Sequence, residues 1–141
     1  MPLVRDERWP ERLASFIEER RHAPFAWGSN DCSLFACDAM LAMTGIDIAA
    51  EFRGKYSDEL GALRCLKDHA GGALEATAEK IAAQFGLLEI PPLHAQRGDV
   101  AIIPTTNGPA LGVVIGEDIV AAGPSGVAFF SLRDVQRAWR I

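Results

Sequence analysis

The stretch FAWGSNDCSLFACDAM, residues 25–40, places a polar, glycine-containing turn directly before a run of apolar residues. Asp31 and the two polar residues before it are types that accept hydrogen bonds from the free amides at a helix N-terminus. Apolar side chains then recur at helical spacing, and Gly45 provides a C-terminal stop. The pattern predicts a helix over about residues 31–43, with Cys32 at its entrance.

Three further segments have the apolar spacing of amphipathic helices. Their predicted inward-facing residues are Trp9, Leu13, Phe16 and Ile17, then Leu60, Leu63 and Leu66, and then Leu74, Ala78, Ile81, Ala82 and Phe85. The second segment begins near Ser57 and is expected to end at Gly71–Gly72, and Gly86 closes the third. Residues 52–59, FRGKYSDE, are interpreted as a solvated turn, with an interface as the alternative.

After Gly86 the pattern changes to short apolar runs separated by turn-forming residues. The runs are LLEIP, GDVAIIP, ALGVVIG, DIVAAG and GVAFFSL, with AWRI as a sixth at the C-terminal end. Such runs predict the strands of an antiparallel meander. We therefore expect one α+β domain over residues 1–141, with N-terminal helices in about residues 7–86 and a small antiparallel β-sheet in about residues 87–141.

Composition narrows the range of functions. The 141 residues are 49% hydrophobic, enough for one core, and the net charge of -5 without a basic tract argues against nucleic-acid binding. No apolar run approaches the roughly 18 residues that a membrane span needs. The charged start MPLVRDERWPERL does not resemble a secretion signal, so we expect synthesis in the cytoplasm.

Cysteine and histidine spacing does not suggest a metal site. The chain has three cysteines, Cys32, Cys37 and Cys65, and three histidines, His22, His69 and His94. The cysteines lack the closely spaced ligand pairs of zinc sites, and the histidines are scattered. We expect no metal and no cofactor, and we interpret Cys37 and Cys65 as core residues.

Cys32 has two interpretations that the residues alone leave open. A helix N-terminus stabilises a thiolate, which suits a nucleophile, while free cysteine is also a common buried residue. Asp31, as a polar helix cap, supports a site. A nucleophile also needs a base within hydrogen-bond reach. His94, in the loop before the GDVAIIP strand, is the better candidate, and His69 is the second.

The motif WGSNDCS, residues 27–33, resembles the Trp/Tyr-Gly-x-x-x-Asp-Cys-Ser motif of the NlpC-type cysteine peptidases, with a spacer one residue shorter. RGDVAIIP and ALGVVIG resemble two strands of these papain-like cell-wall hydrolases, and the likeness runs over about residues 25–127. It implies a papain-like fold with Cys32 as the nucleophile.

A wider set of motifs spans nearly the whole chain: WGSNDCSLFACDAMLAMTGID, FRGKYSDELGALRCL, GDVAIIP, ALGVVIG and a C-terminal AWRI. In this combination the chain resembles a family of short proteins of unassigned function from phage and prophage tail-gene clusters. That likeness implies a virion protein at the tail tip. Its expected partners are other tail-tip and hub proteins, with peptidoglycan as a further candidate.

One departure from the peptidase pattern weakens the catalytic interpretation. Ala110 stands where the resemblance places the histidine, and Ala121–Ala122 stand near the position of the third polar residue. A methyl group cannot accept or orient a proton, so rates should fall by about 10⁴ to 10⁶.

Three hypotheses follow. The favoured one is a phage tail-tip structural or assembly protein with a degenerate peptidase fold, a pseudoenzyme. The alternative is an active cysteine hydrolase that cleaves peptide or amide bonds of peptidoglycan during DNA entry, with Cys32 as nucleophile and His94 as base. The third is a module that binds muropeptides without cutting them, with Trp27 stacking on the ligand.

Overall fold

The computed structural model of the protein describes residues 2–70 and 73–141, and only the backbone of His69 and Ala70. The helices are α1 Trp9–Arg20, α2 Cys32–Thr44, α3 Glu59–Ala70 and α4 Leu74–Phe85. The strands are β1 Leu88–Ile90, β2 Val100–Thr105, β3 Gly108–Val114, β4 Asp118–Gly123, β5 Gly126–Ser131 and β6 Arg137–Arg140. The predicted α+β fold, helices first and then an antiparallel sheet, is confirmed. The predicted helix end at Gly71–Gly72 lies outside the described residues.

The six-stranded sheet departs from a simple meander. Its order is β1-β6-β2-β3-β4-β5, so only β2 to β5 follow one another as predicted. The last strand lies between β1 and β2, where Ala138 is opposite both Ile90 and Ala101. Ala138 and Trp139 are buried, and an interior position lets the backbone of this buried strand form hydrogen bonds on both sides.

Helix α2 is the centre of the helical half. Most of its residues are buried, as expected for a helix that is apolar nearly all round. On one side it packs on α1, where the rings of Phe16 and Phe35 lie 5.1 Å apart. Its other side packs against β3 and β4. Cys32, its first residue, is thereby held against the sheet.

The prediction that the leucines of α3 face the core was wrong for two of them. Leu60 and Leu63, expected to face inward, are 57% and 53% exposed. Among the described residues, no α3 side chain belongs to either buried apolar cluster. The helix packs chiefly on α4 and not over the core, so its apolar stripe borders the surface.

Candidate functional site

The entrance of α2 is organised by one buried carboxylate. Asp31 is 1% exposed. Its oxygens accept hydrogen bonds from the backbone amide of Leu34 at 2.9 Å and that of Gly28 at 3.0 Å. The Tyr56 hydroxyl donates a third bond, at 2.5 Å. Asp31 is thus the predicted helix cap, and it also fastens the turn before Cys32 to a segment 25 residues later in the chain.

The turn around Tyr56 is only partly solvated. Arg53 forms ion pairs with Asp38 at 2.6 Å and with Asp47 at 2.8 Å. Tyr56 is partly buried, and burial together with the bond to Asp31 raises the pKa of its phenol. The interpretation of residues 52–59 as a solvated turn is wrong for Arg53 and Tyr56, whose side chains bind carboxylates of distant residues, whereas residues 54, 55 and 57–59 are exposed.

Cys32 lies partly buried at the start of α2. Burial raises the pKa of its thiol, a hydrogen bond from the backbone amide of Leu111 in β3 lowers it in part, and the charge of Asp31 raises it further. The net shift is upward. The thiolate stabilisation expected at a helix N-terminus is therefore outweighed by loss of water and by the neighbouring carboxylate.

Of the positions that the peptidase pattern assigns to proton-handling residues, Ala110 and Ala121 belong to the same buried cluster of the sheet. Cys32 packs against a buried cluster of the sheet that contains Ala110 and Ala121, which are 8% and 3% exposed. Ala122 packs instead against the main core. On the sheet side, Cys32 therefore packs on an apolar cluster to which both of these alanines belong.

A cleft of about 160 Å³ opens beside Cys32. Its described lining comprises Trp27, Asp31, Cys32, Ser33, Cys37, Phe52, Tyr56, Glu59, Ala62, Leu63, Cys65, Leu66, Leu74, Thr77, Ile81, Asn107, Pro109 and Leu111. All three cysteines therefore border one cleft, and none of them forms a disulfide. Cys37 is buried in the core as predicted, but Cys65 is not a core residue, because α3 lies over the cleft.

The charged residues in the described lining of the cleft are acidic. Asp31 and Glu59 contribute carboxylates, and no lysine, arginine or histidine is found among the lining residues within the described part of the chain. Trp27, predicted to contact a ligand, does line the cleft and is 36% exposed, with its ring edge-on to Phe25 at 4.8 Å.

The structure does not bring His94 to the cleft. It ends a short 3₁₀ turn, Pro92–His94, before β2, and its side chain is exposed. In the register of β2 with β3, Ile102 is opposite Leu111, so the cleft lies beside the middle and end of β2 and not beside its start. His22 is also exposed and outside the cleft lining. The side chain of His69 lies outside the described residues.

Sequence reasoning missed the contribution of Tyr56 and of α3 and α4 to this cleft. The apolar residues of α3 predicted that one side of the helix is buried. They did not show that this side borders the cleft. No local pattern distinguished Tyr56 from a surface tyrosine, because its partner Asp31 is distant in sequence.

Alkylation of Cys32 tests its protonation state. Because the thiolate reacts and the pKa of Cys32 is raised, we expect slow labelling at pH 7 and a rate that rises about tenfold per pH unit to beyond pH 9. Mass spectrometry of the Cys32 peptide from iodoacetamide-treated protein measures the rate, and Cys32→Ser identifies the signal. In urea the profile should shift to lower pH. A plateau near neutral pH in the folded protein would contradict the raised pKa.

Neither a metal-binding cluster nor a membrane-spanning helix is present in the part of the chain that the structure describes. No group of three or more histidine, cysteine, aspartate or glutamate side chains in residues 2–68 and 73–141 is arranged to hold a metal ion. Over the same residues, no helix has the length and apolar character needed to cross a bilayer.

Comparison with known proteins gives a family but no activity. No curated protein matches the chain. A family model described as a domain of unknown function, DUF6950, matches residues 4–141. Since the match covers nearly the whole sequence, the chain belongs to the DUF6950 family.

Proposed function

We propose that the protein is a non-catalytic structural or assembly component built on a degenerate NlpC-like fold. From its likeness to phage tail-cluster proteins, we place it at the tail tip of a virion, packed against other tail-tip and hub proteins. The observation that carries the non-catalytic part is the pair Ala110 and Ala121, buried in the cluster on which Cys32 packs.

The electrostatics around the thiol support the same conclusion. A cysteine hydrolase needs a thiolate and a group that protonates the leaving amine. Here the pKa of Cys32 is raised, and no histidine or lysine lines the cleft in the described part of the chain. His94, the base of the alternative hypothesis, lies exposed outside the cleft.

The alternative, an active peptidoglycan hydrolase, retains one specific observation in its favour. Cys32 lies at a helix entrance and borders an open cleft, and its sulfur accepts a hydrogen bond from the backbone amide of Leu111. A backbone donor beside a nucleophile is also what an oxyanion site requires. This second candidate and the first differ in whether Cys32 is needed for a reaction.

A hydrolysis assay with a matched variant separates them. Purified wild-type protein and Cys32→Ala are incubated with dye-labelled sacculi between pH 5 and pH 9, and released dye is measured. We expect both proteins to remain at the level of buffer alone. Release by the wild type that disappears in Cys32→Ala would establish the hydrolase and overturn the proposal.

The structural role has its own test in the encoding phage or prophage. We expect the protein in purified virions by mass spectrometry, intact tails with Cys32→Ala, and defective tails when the gene is deleted. Virions that lack the protein, or normal tails after deletion, would contradict the tail-tip assignment.

A further inference from the structure

The size of the cleft limits what it can hold. Its volume is about 160 Å³, close to the roughly 150 Å³ of an engineered apolar cavity that accepts benzene. Sites for drug-sized ligands are larger, at about 300–1,000 Å³. The cleft beside Cys32 therefore fits a single aromatic ring or branched aliphatic side chain and not a whole disaccharide-peptide.

The walls of the cleft are mainly apolar and come from several elements. Phe52 precedes α3, Leu66 belongs to α3, Leu74 and Ile81 belong to α4, and Leu111 belongs to β3. The carboxylate of Asp31, which belongs to the lining, already accepts three hydrogen bonds. An occupant would therefore gain mainly from burying apolar surface.

Exposed apolar side chains continue from the cleft onto the surface. Leu63 both lines the cleft and is 53% exposed, and Leu60, one turn earlier on α3, is 57% exposed. Trp27 lies in the cleft lining and is 36% exposed. At protein–protein interfaces, an anchor side chain of one protein often fills a small pocket of the other, and apolar residues around the pocket exclude water. The half-exposed residues around this cleft have that arrangement.

Charge selects between classes of occupant. Glu59 is an exposed carboxylate of the lining, and the described lining contains no cationic side chain. Peptidoglycan stem peptides carry several carboxylates and would meet like charge here. At Glu59, a segment with lysine or arginine beside its apolar residue would meet opposite charge, which favours encounter and orientation.

We propose that this cleft, with Trp27, Leu60 and Leu63, is the docking site for one aromatic or branched aliphatic side chain of a partner protein, presented in a segment with flanking basic residues. The inference rests on the proposed function in taking the occupant to be another protein of the assembly.

Three capped tripeptides test the docking site without knowledge of the partner. The first has phenylalanine between two lysines, the second has alanine between two lysines, and the third has phenylalanine between two glutamates. Each is titrated into isotope-labelled full-length protein, and amide shifts are followed by NMR. We expect saturable shifts at Trp27 and Leu63 with the first peptide and binding at least about tenfold weaker with the other two.

Matched variants connect the binding to the cleft. Leu63→Ser should weaken the phenylalanine–lysine peptide by about tenfold or more, whereas Leu93→Ser, at a residue 72% exposed outside the cleft lining, should leave binding unchanged. Glu59→Gln should reduce the preference for lysine over glutamate flanks. Glu117→Gln, also exposed and outside the lining, is its control. Both leucines are already solvent-exposed, so neither change should unfold the protein.

Several results would overturn the docking inference. These are equal binding of the alanine and phenylalanine peptides, shifts that map elsewhere, preference for the glutamate peptide, or tighter binding of an anionic muropeptide. Self-association in sedimentation that Leu63→Ser abolishes would assign the surface to a second copy of the chain and not to a different partner. Cys32-dependent murein hydrolysis would instead overturn the proposed function, so the two failures are distinguishable.

Discussion

Replacing Asp31 by alanine should lower the free energy of unfolding by about 3–4 kcal/mol, a large share of the roughly 5–15 kcal/mol typical of domains. The carboxylate is buried and accepts bonds from Leu34, Gly28 and Tyr56. Its removal deletes a helix cap and leaves buried donors without an acceptor, and each loss costs about 1–2 kcal/mol. Urea unfolding of both proteins measures the change, provided that the free energy of unfolding depends equally steeply on urea concentration in the two.

Two variants show whether burial causes the size of this effect. Asp58 accepts a bond from the amide of Gly61 at 2.7 Å at the start of α3, but it is exposed. Asp58→Ala should therefore cost only about 1 kcal/mol. Asp31→Asn, which keeps one acceptor oxygen, should fall between the two alanine variants. Equal costs for Asp31→Ala and Asp58→Ala would show that Asp31 acts as an ordinary surface cap.

Gly28→Ala should be comparably damaging, at about 3–5 kcal/mol, or should prevent folding. Gly28 has φ 82°, where an L side chain is strained by about 1–2 kcal/mol. A Cβ there would also overlap the backbone carbonyl oxygen of Tyr56. Because that atom belongs to the main chain, the turn before Cys32 and the segment at Tyr56 must separate, which stretches the bond from Tyr56 to Asp31.

Gly45 provides the matched control for Gly28. Its φ is 79°, nearly the same, but a Cβ added there has no heavy atom within 4 Å. Gly45→Ala should therefore cost only the backbone strain, about 1–2 kcal/mol. The difference between the two variants in thermal or urea unfolding isolates the close approach of the two segments. Equal destabilisation would mean that this contact contributes nothing to stability.

The helix boundaries could be predicted because their determinants are local. Asp31 caps α2 through Leu34, three residues away, and Gly45 ends that helix in the left-handed conformation. Gly86 does the same for α4. The strands were likewise predictable from short apolar runs between turn residues. The papain-like comparison and the roles of Cys32, Trp27 and His94 stay predictions.

The pairing of these elements was less predictable because it depends on residues far apart in sequence. The short final strand was expected at the end of a meander, but Ala138 lies between Ile90 and Ala101. Periodicity showed that α3 has an apolar face, but Leu60 and Leu63 are exposed at the margin of a cleft. Helical periodicity shows that one face of a helix is apolar, but which residues cover that face depends on the neighbouring elements of the fold.

The sequence by itself determined the order of helices and strands, the cap at Asp31 and the position of Cys32 at a helix entrance, because each depends on side chains within a few residues of one another. Only the tertiary structure decided that Tyr56 binds Asp31 and that Ala110 and Ala121 belong to the cluster on which Cys32 packs. It also decided that α3 borders a mainly apolar cleft whose charged lining residues are acidic. These properties arise from burial and from contacts between distant segments. They set the pKa of the Cys32 thiol and the chemistry of any occupant, which neither composition nor spacing encodes.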